Sequence, residues 1–502
     1  MANKACNEVV TVANMPMTVF DMISAMQNKY ADRVAFRYVE GKDTVVEKTY
    51  AQYVQDIRKA TGYLQQELGE PKGKKIVILS RTNYEYGAVV FGTMMAGAVI
   101  VTLNQGKTWA ELEYELGMVE PDLIFNDGID YGYRAQLEAL YGARLRPMDA
   151  WTTAPEAEMV NRIDHEGLLM LMFTSGTTGR SKGVMLSEKN YFTACQMYID
   201  GLKSVLDHEE RLVPQYLDQT FSHFTLVPMF HLAGFICYFV YGIQGWTLNL
   251  CCDARDLRRD MSLMHSDAMS TPPVLVEMIC NEVKRGHADR LNGLWNLSCS
   301  SAILDPAILS DLVKNGFYIN QCYSMTELAG YGLLNVTQEG DHLRALGKPD
   351  GFCEVKVGET GEICVRGGCV MLGYYKDPEA TAGTIDKDGW LHTGDLARVD
   401  EEGYYYMTGR KKNLIILDSG ENVSPEELEK LLGKCDAIKE CIVKEMGKKI
   451  GTAVCCEDDK QQQVKAFVTE LNRTLPMYKH ISVVECSAEP LPRNALGKLL
   501  RK

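Results

Sequence analysis

The sequence predicts an α/β protein with a large N-terminal domain of mainly parallel sheets covered by helices, a small β-rich subdomain, and a small α+β C-terminal domain. The chain has 502 residues, which exceeds the length of one ordinary domain. Short apolar runs alternate with helical segments through the first two thirds, and hairpin patterns follow. We therefore expect a core domain at residues 1–410, its β-rich part at about 350–410, and a C-terminal domain at residues 411–502.

The parallel sheets are predicted by the spacing of the apolar runs. Residues 75–79, 99–103 and 123–125 are short and rich in Val, Ile and Leu, and residues 86–96 between the first two have a helical pattern. Strands that alternate with helices form βαβ units, whose parallel sheets are covered on both faces.

The C-terminal domain is predicted by a change in the sequence pattern. Residues 397–406 form a hairpin pattern, because Asp, Glu and Gly lie between two β-like runs. A polar junction at residues 409–413 follows. Ser424, Pro425 and Glu427 then have the order of an N-cap, a first-turn proline and a capping-box glutamate, so a new helix begins there.

Composition argues against a nucleic-acid-binding protein. The formal net charge is −14, from 67 acidic and 53 basic side chains that are scattered along the chain. A nucleic-acid surface is therefore not expected. An anionic ligand would have to be bound by local positive sites.

The cysteines and the apolar runs predict a cytoplasmic protein. The sixteen cysteines are spread along the chain and include no C-x-x-C pair, so reduced thiols are expected rather than a disulfide framework. The N-terminus has no signal-peptide pattern, and we expect no transmembrane segment.

One loop has the composition of a phosphate-binding site. An apolar run at residues 168–173 leads into hydroxyls, glycines and cations, a composition in which backbone N–H groups, side-chain donors and a Lys converge on an anion. It lacks the Walker A spacing, and the alternative is an ordinary flexible turn. The residues predicted to bind nucleotide phosphate are Thr174, Ser175, Gly176, Thr177, Thr178, Gly179 and Lys182.

This T-S-G-T-T-G-x-x-K-G segment is similar to the signature loop of the adenylate-forming superfamily, which includes acyl-CoA synthetases, peptide-synthetase adenylation domains and firefly luciferase. Ser181 stands where that superfamily usually has proline. The resemblance extends from about residue 20 to the end of the chain, because further segments follow in order.

Three of these segments imply a nucleotide site. The segment from Tyr323 to Glu327, which includes Thr326, resembles Y-G-x-T-E. In that family segment the tyrosine ring stacks on adenine, the Thr meets the α-phosphate and the Glu helps to hold Mg²⁺. Asp395 resembles the last residue of W-x-x-T-G-D and Arg410 that of the G-R pair, so both are expected at the ribose.

The last segment, Pro-Arg-x-x-x-Gly-Lys, resembles the superfamily's terminal loop, and it ends in Lys498. The resemblance implies that Lys498 bridges the carboxylate of the acid and the α-phosphate of ATP. Two anions at about 4 Å repel by roughly 4 kcal/mol at an effective dielectric of about 20. A cation between them offsets much of that repulsion.

A hinge and a tunnel loop are implied for transfer to a thiol. Members of the superfamily rotate the small domain about a residue that corresponds to Lys412, so the C-terminal domain is expected to be mobile. Rotation would bring the loop around Gly420 to the tunnel for the thiol arm. The alternative for Lys412 is a solvated linker cation.

The acyl pocket is expected near His231, Ser300, Ser301 and Ala302. His231 lies in a segment that resembles the aromatic-His segment of acyl- and aryl-CoA synthetases, and the three others stand in place of the G-G-A segment. The segment that contains His231 has no Asp to pair with an ammonium group, which argues against an α-amino acid. A short, medium or aryl acid is expected, and His231 is either catalytic or a core residue.

The resemblance therefore implies an acid–CoA ligase that uses ATP, Mg²⁺ and coenzyme A. The catalytic residues would be Lys498, Thr326, Glu327 and His231. One alternative loads a carrier protein's phosphopantetheine arm. Another, a catalytically inactive nucleotide-binding protein, is disfavoured because Glu327 and Lys498 are both present.

Overall fold

The structure is a computed structural model that describes residues 10–174, 180–206, 220–299, 304, 306–338, 340–417, 422–447, 449–493 and 499–500. Its contacts divide the chain into two compact units. The first comprises Met1–Val355 and Val365–Leu391, and the second comprises Lys356–Cys364 and His392–Lys502. The boundary near residue 411 stays a prediction.

The elements are numbered in chain order. The strands are β1 (Val34–Glu40), β2 (Thr44–Thr49), β3 (Lys75–Leu79), β4 (Val99–Thr102), β5 (Leu123–Asn126), β6 (Leu145–Pro147), β7 (Met170–Thr174), β8 (Lys182–Leu186), β9 (Ser222–Thr225), β10 (Thr247–Leu250), β11 (Ala268–Thr271), β12 (Asn296–Cys299), β13 (Tyr318–Met325), β14 (Gly330–Asn335), β15 (Cys353–Val357), β16 (Glu362–Gly367), β17 (Gly373–Tyr374), β18 (Leu391–Val399), β19 (Tyr405–Arg410), β20 (Ile415–Ile416), β21 (Asn422–Val423), β22 (Glu440–Met446), β23 (Lys449–Cys455) and β24 (Val483–Ser487). The α-helices are α1 (Val19–Asn28), α2 (Tyr50–Leu68), α3 (Tyr84–Met95), α4 (Trp109–Val119), α5 (Arg134–Tyr141), α6 (Glu188–Leu206), α7 (Leu232–Gln244), α8 (Leu257–Leu263), α9 (Pro273–Lys284), α10 (Pro306–Lys314), α11 (Pro378–Ala382), α12 (Pro425–Leu432) and α13 (Gln461–Thr474).

One sheet of the first unit carries the phosphate-loop segment. Its strand order is β17–β8–β7–β4–β3–β5–β6. The strands from β7 to β6 are parallel, and β8 and β17 add antiparallel at one edge. The predicted runs at residues 75–79, 99–103 and 123–125 are all strands of this sheet. The parallel βαβ prediction is therefore confirmed.

The other long sheet of the first unit has the order β14–β13–β12–β11–β9–β10–β1–β2. The strands from β13 to β1 are parallel, with an antiparallel strand at each end. Phe224, Met269, Leu297 and Ile319 from four of its strands pack into one apolar core cluster. Because side chains alternate along a strand, the residues beside them point to the opposite face.

The smaller sheets hold the predicted β-rich region and the C-terminal fold. One has the order β15–β16–β18–β19, and another the order β22–β23–β24. In the hairpin from β18 to β19, Gly403 has φ +86° and Asp400 N–H donates to Tyr404 O at 3.1 Å. The hairpin prediction is confirmed, and the mixed α/β fold class is as expected.

Helix α12 begins at the predicted residue with the predicted Ser424 cap, but only this half of the expected capping box is seen. The Ser424 hydroxyl accepts from Glu427 N–H at 3.4 Å, with Pro425 in the first turn. The Glu427 carboxylate accepts from Lys479 Nζ at 2.7 Å. The helix packs on β22 and β23 through a core that includes Leu428 and Val443.

Within the described ranges, no helix is both long and apolar enough to cross a membrane.

Candidate active site

The ends of the predicted phosphate loop lie opposite each other on neighbouring antiparallel strands. Thr174 is the last residue of β7 and Lys182 is the first residue of β8, and they are register partners. The chain therefore leaves and re-enters the sheet at one point, as a loop that wraps a small anion requires. Ser175, Gly176, Thr177, Thr178 and Gly179 lie outside the described residues.

A buried ion pair contacts Ser181, which directly precedes Lys182 at the end of the predicted phosphate loop. Lys107 Nζ contacts the carboxylate of Glu115, whose side chain is 0% exposed, and it donates to Ser181 Oγ at 3.3 Å. Ser181 replaces the expected proline, which would have limited the backbone of the loop. In this chain, a charge-assisted hydrogen bond tethers the same position. Sequence reasoning missed this support, because Lys107 and Ser181 are 74 positions apart.

Tyr323, Thr326 and Glu327 lie where β13 gives way to a short 3₁₀ helix, Thr326–Leu328. Tyr323 is buried at 7% exposure. The helix ends at Ala329, whose φ of +53° is left-handed, so the chain turns back immediately into β14. The three predicted residues therefore lie within five positions of one another at the C-terminal end of β13.

Tyr374 connects Glu327 to the phosphate loop. Its hydroxyl donates to Glu327 Oε1 at 2.9 Å, and its ring lies 4.6 Å from Lys182 Nζ. Burial and the nearby carboxylate raise the pKa of Tyr374, so the phenol stays protonated and donates. Met371 N–H also donates to the backbone carbonyl of Glu327 at 2.9 Å. Lys182 and Glu327 are thus brought together by a residue that sequence reasoning missed.

His231 caps the N-terminus of α7. Its Nδ1 accepts from Ala233 N–H at 3.3 Å, which places the proton of the neutral ring on Nε2. The turn needs Gly234, because a Cβ there would lie 2.6 Å from the carbonyl oxygens of Val227 and Pro228. Capping gives His231 a structural task, and a direct catalytic role stays a prediction.

In the second unit, Asp395 and Arg410 form an ion pair. They are register partners on β18 and β19, and Arg410 Nε contacts Asp395 Oδ1 at 2.9 Å. The carboxylate side chain is 8% exposed and the guanidinium 42%. A carboxylate held in this way is oriented to accept hydrogen bonds from a pair of hydroxyls.

Glu362 holds the turn that precedes Asp395. It accepts from Gly394 N–H at 2.8 Å and from Lys411 Nζ at 3.0 Å. Burial pushes the pKa of Glu362 upward, but these hydrogen bonds outweigh burial and keep it below its usual range. Sequence reasoning missed Glu362, which is 49 positions from Lys411.

Lys412 lies in a 3₁₀ turn, Lys411–Asn413, directly after β19. Partial burial lowers its pKa, and the neighbouring Arg410 lowers it further. The last residue of the turn is hydrogen-bonded to helix α12, since Asn413 Nδ2 donates to Glu426 Oε1 at 2.6 Å. The assignment of Lys412 as a hinge stays a prediction.

Five further predicted residues lie outside the described part of the chain: Lys498, Gly420, Ser300, Ser301 and Ala302. Their assigned roles stay predictions. Strand β12 ends at Cys299 and therefore leads directly to Ser300.

The donor set fits magnesium and a nucleotide. Within the described ranges, no group of three or more His, Cys, Asp and Glu side chains is placed to hold a metal ion. Mg²⁺ is commonly held by one or two carboxylates together with substrate phosphates and water. Glu327 would supply the carboxylate, and the Thr326 hydroxyl and Lys182 suit phosphate oxygens.

Curated relatives are similar over most of the chain. It is 27% identical to the peroxisomal OPC-8:0-CoA ligase 1 of Arabidopsis thaliana, over 87% of this chain and 84% of that protein. It is also 27% identical to a long-chain-fatty-acid–CoA ligase of Escherichia coli O157:H7, over 97% of this chain and 93% of that protein.

Solved structures share the fold. The chain matches o-succinylbenzoate CoA synthetase of Bacillus subtilis, in complex with its acyl-adenylate intermediate, with a TM-score of 0.80 and 23% identity over 96% of both chains. It matches ATP-bound MatB of Rhodopseudomonas palustris with a TM-score of 0.81 and 24% identity over 97% of both chains. A family model described as AMP-binding enzyme matches residues 24–375. The chain belongs to the AMP-binding enzyme family.

Proposed function

We propose that this protein is an ATP-dependent acid–CoA ligase. In the first step, a carboxylate attacks the α-phosphorus of ATP, which gives acyl-AMP and pyrophosphate. In the second, the thiol of coenzyme A attacks the acyl carbonyl and AMP leaves. The observation that carries the proposal is the Tyr374 bridge, which holds the Glu327 carboxylate beside the Lys182 end of the phosphate loop.

The predicted site residues of both units serve the adenylation step. Lys182 and the loop N–H groups bind phosphate oxygens, and Thr326 donates to the α-phosphate. Glu327 would hold Mg²⁺, which would supply positive charge to the leaving pyrophosphate. Lys498 offsets the repulsion between the acid and the α-phosphate and withdraws before the thiol arrives. Asp395 and Arg410 bind the ribose.

Transfer to the thiol depends on the C-terminal domain. In our proposal, Lys412 is the hinge, and its rotation brings the Gly420 loop to the thiol arm. Relatives that are named as CoA ligases support coenzyme A as the acceptor. A carrier protein's phosphopantetheine arm presents the same thiol. The experiment therefore tests coenzyme A and a carrier protein as separate acceptors.

Two assays test the ligase proposal. The purified protein is given fatty, aryl and dicarboxylic acids, and we measure acid-dependent pyrophosphate exchange and, with coenzyme A or a phosphopantetheinylated carrier, thioester formation. We expect exchange with at least one acid and thioester only with coenzyme A. Lys498→Ala is expected to abolish exchange while ATP still binds. Exchange at the parent rate in that variant would show that Lys498 has another role.

The hinge is tested by comparing the two half-reactions. Proline fixes φ near −65° and removes a backbone donor, so Lys412→Pro should restrict rotation. We expect thioester formation to fall at least about tenfold more than pyrophosphate exchange. Lys411→Pro is not a clean control, because Lys411 binds Glu362, so Lys434→Pro, just after α12, controls for proline itself. Equal loss of both half-reactions would rule the hinge out.

We also propose that the protein works in the cytoplasm. None of the fifteen cysteines within the described ranges forms a disulfide, which suits a reducing compartment. Imaging of a fluorescent fusion tests this location, and accumulation in peroxisomes would contradict it.

A further inference from the structure

One face of the second long sheet is polar although it is covered by helices. Thr225, Ser270, Ser298 and Asn320 are register partners across β9, β11, β12 and β13. They therefore form one row on the face opposite the apolar cluster of Phe224 and its neighbours. A sheet face that only packed against helices would be expected to be apolar.

A small cavity lies on this face. Its volume is about 20 Å³, and α7 closes it with Ile236, Cys237, Val240 and Tyr241. We call this cavity the polar chamber. The polar side chains of its sheet wall are His223, Ser270, Asn296, Ser298 and Asn320.

One side chain of the chamber wall carries an acceptor atom that the described residues leave without a partner. Asn320 Nδ2 donates to Asn296 Oδ1 at 3.0 Å, but the buried Asn320 Oδ1 has no hydrogen-bond partner in the described part of the chain. Thr225 Oγ1, in the same row, is also buried without a hydrogen-bond partner in the described part of the chain. Buried polar atoms are nearly always paired, with protein or with ordered water, so Asn320 Oδ1 calls for a hydrogen-bond donor from outside the described residues.

The wall is polar without being charged. The described residues that line the chamber include no Asp, Glu, Lys or Arg. His223 Nε2 accepts from Ser270 N–H at 3.2 Å and its Nδ1 lies 2.7 Å from Tyr241 Oη, as a neutral imidazole requires. A charged guest would be left without a counter-ion.

The elements that line the chamber also lead to the reaction centre. Helix α7 begins after His231, and Ile236 is five residues on, about 7.5 Å along the helix axis. Strand β13 continues from Asn320 to Tyr323, three residues or about 10 Å away. These distances correspond to an acid of short or medium length.

We propose that the polar chamber receives the far end of the acid substrate, and that this end is a small uncharged hydrogen-bond donor such as a hydroxyl. This inference rests on the proposed ligase function. Asn320 Oδ1 accepts from the hydroxyl and thereby selects hydroxy acids over alkanoic acids. A cavity of this size holds about one water-sized group, so a larger polar end does not fit.

The test uses pairs of acids that differ only in a terminal hydroxyl or methyl group. We measure kcat/KM for pyrophosphate release with aliphatic pairs of four to ten chain atoms (roughly the reach set by helix and strand rise), with phenolic pairs, and with dicarboxylic acids. A site built to bind a hydroxyl rejects the analogue that lacks it, so we expect a preference of at least about 100-fold in one pair.

Asn320→Leu should reduce the preference to below about tenfold while the methyl acid is still used. Asn320→Ser keeps a shorter acceptor and should be intermediate, which covers the case in which the leucine variant does not fold. Asn249→Leu is the matched control, because Asn249 also has a buried unpaired amide oxygen but lies on the opposite face. Its preference should match the parent.

Each of the remaining outcomes contradicts either the inference or the ligase function. Equal use of both members of every pair, a preference for dicarboxylic acids, or an unchanged preference in Asn320→Leu would overturn the inference and leave the ligase function standing. Failure of every acid to release pyrophosphate would overturn the ligase function itself.

Discussion

The hydroxyl of Tyr374 donates a hydrogen bond to Oε1 of Glu327 at 2.9 Å, and the same ring lies 4.6 Å from Lys182 Nζ. One side chain therefore contacts both an expected metal ligand and an expected phosphate-binding cation. Tyr374 lies on β17, which pairs with β8, the strand that begins at Lys182. The sheet therefore sets the distance between the Tyr374 ring and Lys182.

Tyr374→Phe should weaken the use of Mg·ATP. The variant keeps the ring beside Lys182 but removes a hydrogen bond to a carboxylate, which is worth about 1.5–3 kcal/mol. We expect kcat/KM for ATP to fall by about 10–100-fold. Tyr375→Phe is the control, because it removes the neighbouring hydroxyl and should have little effect. Equal activity in both variants would contradict the bridge.

Lys107→Met should destabilise the first unit strongly. It leaves the Glu115 carboxylate, which is 0% exposed, buried without its cation, at a cost of about 3–5 kcal/mol. The double variant Lys107→Met with Glu115→Leu should recover most of that loss. Chemical denaturation measures the change, and Lys189→Met, whose partner Glu166 is 71% exposed, should cost less than about 1 kcal/mol. A single-variant cost as small as this control would contradict a buried pair.

Gly234→Ala should damage the start of α7. The new Cβ would meet two backbone carbonyl oxygens at 2.6 Å, and backbone cannot yield as a flexible side chain can, so we expect a loss of about 1–3 kcal/mol. Gly117→Ala is the control on α4, where a Cβ meets nothing within 4 Å. It should stabilise by about 0.5–1 kcal/mol. Urea denaturation distinguishes the two, and the same sign for both would contradict this geometry.

His223 should make stability sensitive to acid. Burial lowers the pKa of His223 to about 3, below its unfolded value of about 6.5, so the unfolded chain takes up a proton that the folded chain refuses. Stability is therefore lost as the pH falls below about 6.5, by up to about 1.4 kcal/mol per unit, until about pH 3. The titratable side chains hydrogen-bonded to the ring are Tyr241 and Cys237, and both are uncharged in this window.

His223→Gln tests this pH dependence. The variant keeps a polar side chain but does not titrate, so the stability advantage of the parent should shrink between pH 7 and pH 4.5 in denaturation experiments. An advantage that stays constant over that range would show that the ring is not buried in its neutral form.

Local patterns predicted much of the fold. The strands near residues 75–79, 99–103 and 123–125, the turn at Gly403 and the cap at Ser424 are as expected, because each depends on residues within a few positions of one another. The strand order was not predicted. Pairing between distant strands depends on packing, which short-range periodicity does not encode.

The candidate site divides in the same way. Thr326, Glu327, Asp395 and Arg410 were found from ordered motifs, and the structure pairs the last two across adjacent strands. Their supporting residues were missed. A helper such as Glu362 has no motif of its own, and only the folded hairpin brings it to Gly394 and Lys411.

The sequence by itself determined the βαβ alternation and the order of the nucleotide-binding motifs, because hydrophobic period and loop chemistry are local properties. Only the tertiary structure decided that Tyr374 bridges Glu327 and Lys182, that Lys107 tethers Ser181, and that a covered sheet face is polar. The physical reason is that these relationships join strands and helices far apart in sequence, and folding alone sets which face of each is buried.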